Sequence, residues 1–415
     1  MRNFSVTILR SSLLLCLLHG CSDPAPADTV SFGLALPFTG ASAQRGVNIE
    51  RAMITAGDEI NRAGGVLGRE VHFRAVDTHS TTYEGMRAAT PLFSDGDAVA
   101  VLGPDSNDLA LSLAPVAHSS DKLLVTPSAT PRSVAVSKDE RDHWLRLNPS
   151  VSLLADKLAE QIIADDRRHV LIVHVVDSLM VALKDQITSR LVRDTQTRVP
   201  AAVAITPDRF PDNTAVIEAL AHAGDTYDAV VVLAYPNRAA SIVNDVVLSY
   251  APARRKAIGW YFSHTVRSPE FLEHVLTEYI EGGTGVALAV GQDAAAFREL
   301  FRERWFGDEP TEEAYYYVDA LNLLALATEA TGADDPSEVA AATLSDNIRK
   351  LAQAGGQEVR WNQLDAGLEA VRAGKPVTYL GLTGNLQLMG GELQREVVDA
   401  SLWRIEGGKY ASFTR

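Results

Sequence analysis

A short polar loop in the first third of the chain has residue types that bind small anions. Gly103-Pro104-Asp105 is followed by Ser106 and Asn107, and an apolar helical pattern begins soon afterwards. A hydroxyl or amide at a helix start caps the free backbone N–H groups. The same N–H groups, with the partial positive charge of the helix end, can hold a carboxylate. The sequence leaves both interpretations of Ser106 and Asn107 open.

A second loop of this type follows the next predicted strand. Ser128-Ala129-Thr130 comes after Pro127, which favours an extended approach, and Ala129 leaves space beside the backbone. Open α/β sheets bind ligands at the carboxyl ends of their parallel strands. Because the two loops follow neighbouring strands, we expect Ser106 and Thr130 to converge on one polar group. Plain turns are the alternative, since Ser and Pro are common in turns.

The pattern around these loops predicts the parallel sheet that they need. Short segments rich in β-branched residues alternate with helical segments over residues 30–147, and the alternation resumes near 170. This pattern is typical of an α/β fold with right-handed connections. The first predicted helix ends at Gly64-Gly65. Its apolar face consists of Ile49, Ala52, Met53, Ala56 and Ile60, which recur at helical spacing.

The order of four motifs resembles a known family. The motifs are LPFTG, INRAGGVLGR, AVLGPDSN and VTPSAT. They are similar to those of type I periplasmic solute-binding proteins, in the branched-chain amino acid and amide branch. The resemblance implies two Rossmann-like lobes joined by three crossover strands, which act as hinges. It places residues 29–147 and 285–378 in the first lobe, and residues 148–284 and 379–415 in the second.

The resemblance also implies roles for single residues. The loop with Ser106 matches the one that binds the ligand carboxylate. Ser128 matches a residue that offers its backbone carbonyl, and Thr130 matches one that offers a hydroxyl and an amide. Tyr235 matches an aromatic lid from the second lobe, although Tyr at a strand end is also common in a core. Arg45 replaces a frequent aromatic residue, and it either clamps an anionic ligand group or points to solvent.

The sequence departs from the amino acid binders of the family in the second lobe. Those proteins have an acidic residue near the segment that matches Trp260-Tyr261-Phe262-Ser263-His264, where this chain has none. An unpaired ligand ammonium in a closed cleft is costly, so an amino acid ligand is in doubt. An aromatic-lined pocket, with Phe262 as a candidate contact, favours an amide, a urea-like compound or a carboxylate.

The amino terminus has the pattern of an export signal. Arg2 and Arg10 precede the apolar run 12–18, which is too short to span a bilayer. This arrangement is typical of a secretory signal peptide, which we assign to residues 1–20.

The signal pattern ends in a possible lipid attachment site. Leu18-His19-Gly20-Cys21 is similar to the lipobox of bacterial lipoproteins, which implies cleavage before Cys21 and its acylation. Ordinary secretion is the alternative. Residues 21–28 are rich in Pro, Ala and Asp and are predicted to form an extended tether. The chain has two cysteines, Cys16 and Cys21, so the body after the tether has no disulfide framework.

Composition and motifs disfavour several classes of function. The net charge of −15 disfavours nucleic acid and anionic lipid head groups as partners. The chain contains no HExxH, GxSxG or GxxxxGK[ST] motif, and its ten histidines lack Cys or Glu partners at ligand spacing. We therefore expect no metal, no cofactor and no enzymatic activity.

These observations together favour an extracytoplasmic, lipid-anchored solute-binding protein. It would capture a small polar ligand (an amino acid, an amide or a related carboxylate) between two lobes and present it to the permease of an ABC importer. A ligand-sensing lipoprotein is one alternative. Another is a lipoprotein that regulates peptidoglycan synthases and uses the fold as an interaction platform. Those proteins carry an extra amino-terminal helical-repeat domain, whereas here the tether leads directly into the first strand.

Overall fold

The computed structural model describes two α/β lobes. The described residues are 29–127, 142–147, 151–194, 196–198, 202–206, 212–223, 226–250, 257–288, 290–291, 293–353, 355–389, 392–395 and 400–413. The segments predicted to be the signal peptide and the tether with Cys21, and the loop residues Ser128 and Thr130, lie outside them. What the sequence predicts for these residues stays a prediction.

The first lobe is built on a parallel sheet of five strands in the order β2-β1-β3-β4-β5. Its elements are β1 Thr29–Leu36, α1 Ala43–Arg62, β2 Glu70–Asp77, α2 Thr82–Ser94, β3 Ala98–Leu102, α3 Asn107–Ser119, β4 Leu123–Thr126 and β5 Trp144–Arg146. All four strand pairs are parallel. The loops that lead into α1 and α3 therefore leave the same edge of the sheet, as the sequence predicts.

The second lobe is built on a sheet of seven strands in the order β16-β15-β10-β9-β8-β6-β7. Its elements are α4 Val151–Ala164, β6 Val170–Val175, α5 Ser178–Val192, β7 Ala202–Ile205, α6 Thr214–Ala223, β8 Ala229–Leu233, α7 Pro236–Ser249, β9 Gly259–Phe262, α8 Pro269–His274, β10 Thr284–Ala287, β15 Ser401–Glu406 and β16 Lys409–Phe413. The last two strands form an antiparallel hairpin that pairs with β10.

The chain between β10 and β15 returns to the first lobe. It forms α9 Ala294–Arg304, α10 Glu312–Glu329, α11 Ala341–Leu351, β11 Gln357–Arg360, α12 Leu364–Arg372, β12 Val377–Gly381, β13 Gly384–Met389 and β14 Glu392–Arg395. Strands β11 to β14 make a small third sheet. Two of the predicted lobe boundaries, after residues 284 and 378, fall inside β10 and β12.

Helix α1 shows how the sequence determines the packing. All five residues of its predicted apolar face are buried, which confirms that prediction. The face contacts α10, whose residues are buried on every side. Most apolar residues of α10 belong to the core of the first lobe, but Tyr316 packs into the core of the second. Helix α10 therefore touches both lobes.

A buried carboxylate fixes the returning segment to α10. Asp319 is fully buried and accepts hydrogen bonds from the Tyr379 hydroxyl at 2.9 Å and from the backbone N–H groups of Leu382 at 2.7 Å and Thr383 at 3.0 Å. Within the described residues, no helix has the length and hydropathy needed to cross a membrane.

Candidate ligand-binding cleft

The predicted loop after β3 lies at the amino terminus of α3. Ser106 is the N-cap residue, and its hydroxyl accepts a long hydrogen bond of 3.5 Å from the backbone N–H of Leu109. Asn107 begins the helix and is buried. The structure thus shows the helix cap, one of the two interpretations of Ser106. Contact with a ligand carboxylate stays a prediction, and so does convergence with Thr130.

Two glycines bring the loops of the first lobe close to β1. A Cβ at Gly46, in the first turn of α1, would lie 1.9 Å from the carbonyl oxygen of Pro37. Gly103 has a φ of +97°, and a Cβ there would lie 2.3 Å from the carbonyl oxygen of Ala35. Only glycine permits both approaches without a shift of the backbone. The two loops are therefore held side by side.

A polar network around Asp77, at the end of β2, fixes the turn between β1 and α1. The carboxylate of Asp77 accepts hydrogen bonds from the backbone N–H groups of Phe38 and His79 and from the Thr39 hydroxyl. Burial of Asp77 favours the protonated form, but these hydrogen bonds outweigh it and lower the pKa of Asp77. Thr39 of the LPFTG motif therefore has a structural role in this turn.

Arg45 lies in an ion-pair network at this position. Its guanidinium pairs with the carboxylate of Glu313 at the start of α10, and it lies 3.7 Å from the carboxylate of Asp105. It also donates a hydrogen bond of 3.3 Å to the backbone carbonyl of Asp105. The Arg45 side chain is 17 % exposed. Arg45 therefore does not point freely to solvent, and the groups that it contacts are acidic.

The second lobe contributes Tyr235 to the same cluster. Tyr235 is the N-cap residue of α7, and the guanidinium carbon of Arg45 lies 6.0 Å from the centre of its ring. That distance is within the range of a cation–π interaction. The Tyr235 hydroxyl donates a hydrogen bond to Asp177, which caps α5 by accepting the Met180 N–H at 2.8 Å. The predicted lid residue is thus partly buried between the lobes, against Arg45.

The acidic residues of the cleft are poorly stabilised in their charged forms. Burial raises the pKa of Asp105, of Asp177 and of Glu313, and Arg45 opposes this shift at Asp105 and Glu313. At Asp177 the nearby charge of Asp108 raises the pKa further. Burial of Arg45 disfavours its charge, but Glu313 and Asp105 outweigh that effect and raise the pKa of Arg45.

His264 faces this cluster from the end of β9. It is 9 % exposed, and its Nδ1 has no hydrogen-bond partner in the described part of the chain. Burial, with a smaller contribution from the charge of Arg45, lowers the pKa of His264 to about 3. The imidazole is therefore neutral at physiological pH, with one nitrogen atom available for a hydrogen bond.

A second contact between the lobes lies next to the cleft. The carboxylate of Glu312 pairs with Arg267 and accepts a hydrogen bond of 2.9 Å from the backbone N–H of Leu288, which follows β10. Burial raises the pKa of Glu312 to about 7, although Arg267 opposes the shift. The ion pairs of Arg45 and Arg267 therefore involve two adjacent residues of α10, Glu313 and Glu312.

Phe262 lies elsewhere. Its side chain is fully buried in the core of the second lobe and packs against the rings of Trp260, Phe271 and Trp403, with centroid distances of 5.2 to 6.4 Å. A ligand has no access to this ring. The structure therefore corrects the expectation that Phe262 contacts the ligand.

The cleft also contains residues that the sequence does not identify. These are Asp177, His264 and Glu313, and Asp105 joins them as a partner of Arg45. Among the described residues, no three His, Cys, Asp or Glu side chains are arranged as metal ligands.

Comparison with known proteins identifies the family. A family model described as periplasmic binding protein matches residues 29–372. The chain belongs to this family. The match confirms the resemblance seen in the motifs, and it places the protein outside the cytoplasm.

Three proteins illustrate the range of relatives of this periplasmic binding protein. The chemotactic signal transduction system substrate-binding protein BasB of Halobacterium salinarum is 25% identical over 93% of this chain and 91% of that protein. The branched-chain amino acid transporter substrate-binding protein LivJ of Streptococcus pneumoniae, solved with isoleucine, is 20% identical with a TM-score of 0.71, covering 93% of this chain and 99% of that one. An ABC transporter solute-binding protein of R. palustris, solved with benzoate, is 16% identical with a TM-score of 0.71, covering 93% and 95%. The structural likeness confirms the two-lobed α/β fold.

Proposed function

We propose that this periplasmic binding protein is a lipid-anchored, non-enzymatic receptor that captures one small polar ligand between its lobes and delivers it to an ABC permease. The observation that carries the proposal is the contact of Arg45 with Tyr235. It joins the two lobes at the carboxyl ends of their strands, where α/β folds bind ligands. Ser106, Asn107, Ser128 and Thr130 would bind a polar group of the ligand from the first lobe, and Tyr235 would cover it.

The anchor and the transport role rest on sequence and relatives. The lipobox-like residues before Cys21 support acylation. The LivJ protein of S. pneumoniae is described as part of a branched-chain amino acid transporter, and the R. palustris protein as part of an ABC transporter. These descriptions support an importer as the partner.

The experiment is a ligand screen followed by a measurement of closure. Thermal shift of the full-length protein is measured against amino acids, amides, ureas and organic acids. A ligand present at 100 times its dissociation constant should stabilise the protein by about 2.7 kcal/mol. Small-angle scattering with the best ligand should then show a smaller radius of gyration. An unchanged radius at saturation would contradict capture by closure and would favour an interaction platform.

A sensing role is the second candidate. BasB matches nearly the whole length of this chain and is described as part of a chemotactic signal transduction system. Co-purification from solubilised membranes distinguishes the two roles, since a permease partner supports import and a signalling receptor supports sensing.

A further inference from the structure

The cleft holds more acidic groups than its cation can neutralise. Arg45 pairs with Asp105 and Glu313, which leaves Asp177 outside the network. Asp177 receives a hydrogen bond from Tyr235 and caps α5, and Asp108 across the cleft adds a like charge. In the described part of the chain, no Lys or Arg side chain forms an ion pair with Asp177. A partly buried carboxylate without a counter-charge is costly, so a positive charge beside Asp177 would be stabilising.

His264 is an independent sign that a partner is missing. It is more than nine-tenths buried, it faces Arg45, and its Nδ1 has no hydrogen-bond partner among the described residues. Buried polar atoms are nearly always hydrogen-bonded, to protein, water or ligand. A neutral imidazole nitrogen can accept a hydrogen bond from an ammonium or guanidinium N–H.

Arg45 itself shows that this position suits a cation. Its guanidinium lies between two carboxylates and faces an aromatic ring at 6.0 Å. Carboxylates together with an aromatic face are the groups that bind ammonium and guanidinium ions. We propose that the ligand is a small organic cation, an amine or a guanidine, whose charged group pairs with Asp177 and Asp105 beside Tyr235 and hydrogen-bonds His264. This proposal rests on the proposed function and specifies its ligand class.

The proposal gives Arg45 the role of an internal competitor. Its side chain is long and leaves the first turn of α1, so it can withdraw when a ligand cation takes its partners. A neutral ligand would leave Asp177 without a counter-charge, and an anionic ligand would add repulsion from all three acids. The charge of the ligand, rather than its apolar part, would therefore dominate selectivity.

The test compares ligands that differ in charge and little else. L-Arginine and L-citrulline have nearly the same shape, but the guanidinium of arginine is replaced by a neutral ureido group. Calorimetry of the full-length protein at pH 7 should show arginine binding at least tenfold tighter than citrulline. Agmatine, which lacks the carboxylate, should also bind. Equal or tighter binding of citrulline, isoleucine or benzoate would overturn the proposal, and so would a lack of binding by both arginine and agmatine at 1 mM.

Three variants tie this selectivity to the cleft. Asp177→Asn keeps a residue that can cap α5 but removes the charge, so arginine should bind at least tenfold more weakly. Arg45→Gln removes the competitor and should strengthen arginine binding. Asp335→Asn is the matched control, because Asp335 is an exposed N-cap residue away from the cleft. The affinity of this variant for arginine should equal that of the wild type. Unchanged affinity in both Asp177→Asn and Arg45→Gln would overturn the proposal.

The failure of this proposal can be separated from failure of the proposed function. If a neutral or anionic compound binds and closes the lobes, the receptor function stands and the cationic ligand class is wrong. If a cation binds with the expected selectivity but the radius of gyration does not change, the ligand class stands and capture by closure is wrong.

Discussion

Protonation of His264 should weaken the folded protein as the pH falls. The side chain is 9 % exposed, and burial with the charge of Arg45 lowers its pKa to about 3 from the ordinary value of 6.5. Between these two values the unfolded chain binds more protons than the folded one. The free energy of unfolding therefore falls as the pH decreases below 6.5. The slope approaches about 1.4 kcal/mol per pH unit below pH 6.5, so this one group removes about 2.3 kcal/mol between pH 6.5 and 4.5.

The assay is urea unfolding at these two pH values for the wild type and for His264→Gln, which removes the titrating group. Buried acids such as Asp105 and Glu313 titrate in both proteins, so their effect cancels when the two pH dependences are subtracted. The wild type should lose about 2.3 kcal/mol more than the variant on acidification. His222→Gln, at an exposed histidine, is the control and should behave as the wild type. Equal pH dependence in all three proteins would refute a neutral, buried His264.

Four further predictions concern the anchor, the lid, the core and the second contact between lobes. Cys21→Ser should move the protein from the membrane fraction to the soluble fraction, and unchanged partitioning would reject the lipoprotein assignment. Tyr235→Ala should speed the release of bound arginine in stopped-flow measurements at least tenfold with little change in its association rate; equal release rates would exclude a lid. Asp319→Ala should lower the free energy of unfolding by about 3 kcal/mol or more, because it removes the acceptor of at least four buried hydrogen bonds. Glu312→Gln should make stability in urea fall more steeply on acidification than in the wild type, by about 2 kcal/mol between pH 6.5 and 4.5; a parallel pH dependence would contradict the raised pKa.

Local features of the chain could be predicted from the sequence because local physics determines them. The apolar face of α1 follows from the 3.6-residue period, and Ser106 occupies a helix start because hydroxyl residues cap helices. Two neighbouring parallel strands place their following loops on one edge. The loop with Ser106 lies at this edge, and Tyr235 of the second lobe contacts Arg45 of the first. The roles that the resemblance implies for these residues toward a ligand stay predictions.

Long-range pairing could not be predicted in this way. Glu313 lies in the first turn of α10, where acidic residues are common because the helix dipole favours them. Nothing local indicates that its partner is Arg45, far away in the sequence. Phe262, in contrast, is a residue for which the sequence predicts a ligand contact that its burial excludes. Strand β9 is central in its sheet and buried on both faces, so alternation gives no signal for which aromatic side chain faces a cleft.

Two of the buried titratable groups at the contacts between lobes, His264 and Glu312, have opposite effects on pH dependence. His264 has a lowered pKa, so the folded state loses stability as protons are added below pH 6.5. Glu312 has a pKa raised to about 7, so between its ordinary value of 4.5 and 7 the folded state binds the additional proton and loses stability as the pH rises. Over the range in which both titrate, their slopes nearly cancel. The pH dependence of the wild type therefore does not report the net effect of either group, whereas the opposite changes in slope in His264→Gln and Glu312→Gln do. If both variants have the same pH dependence as the wild type, neither contact is closed in solution.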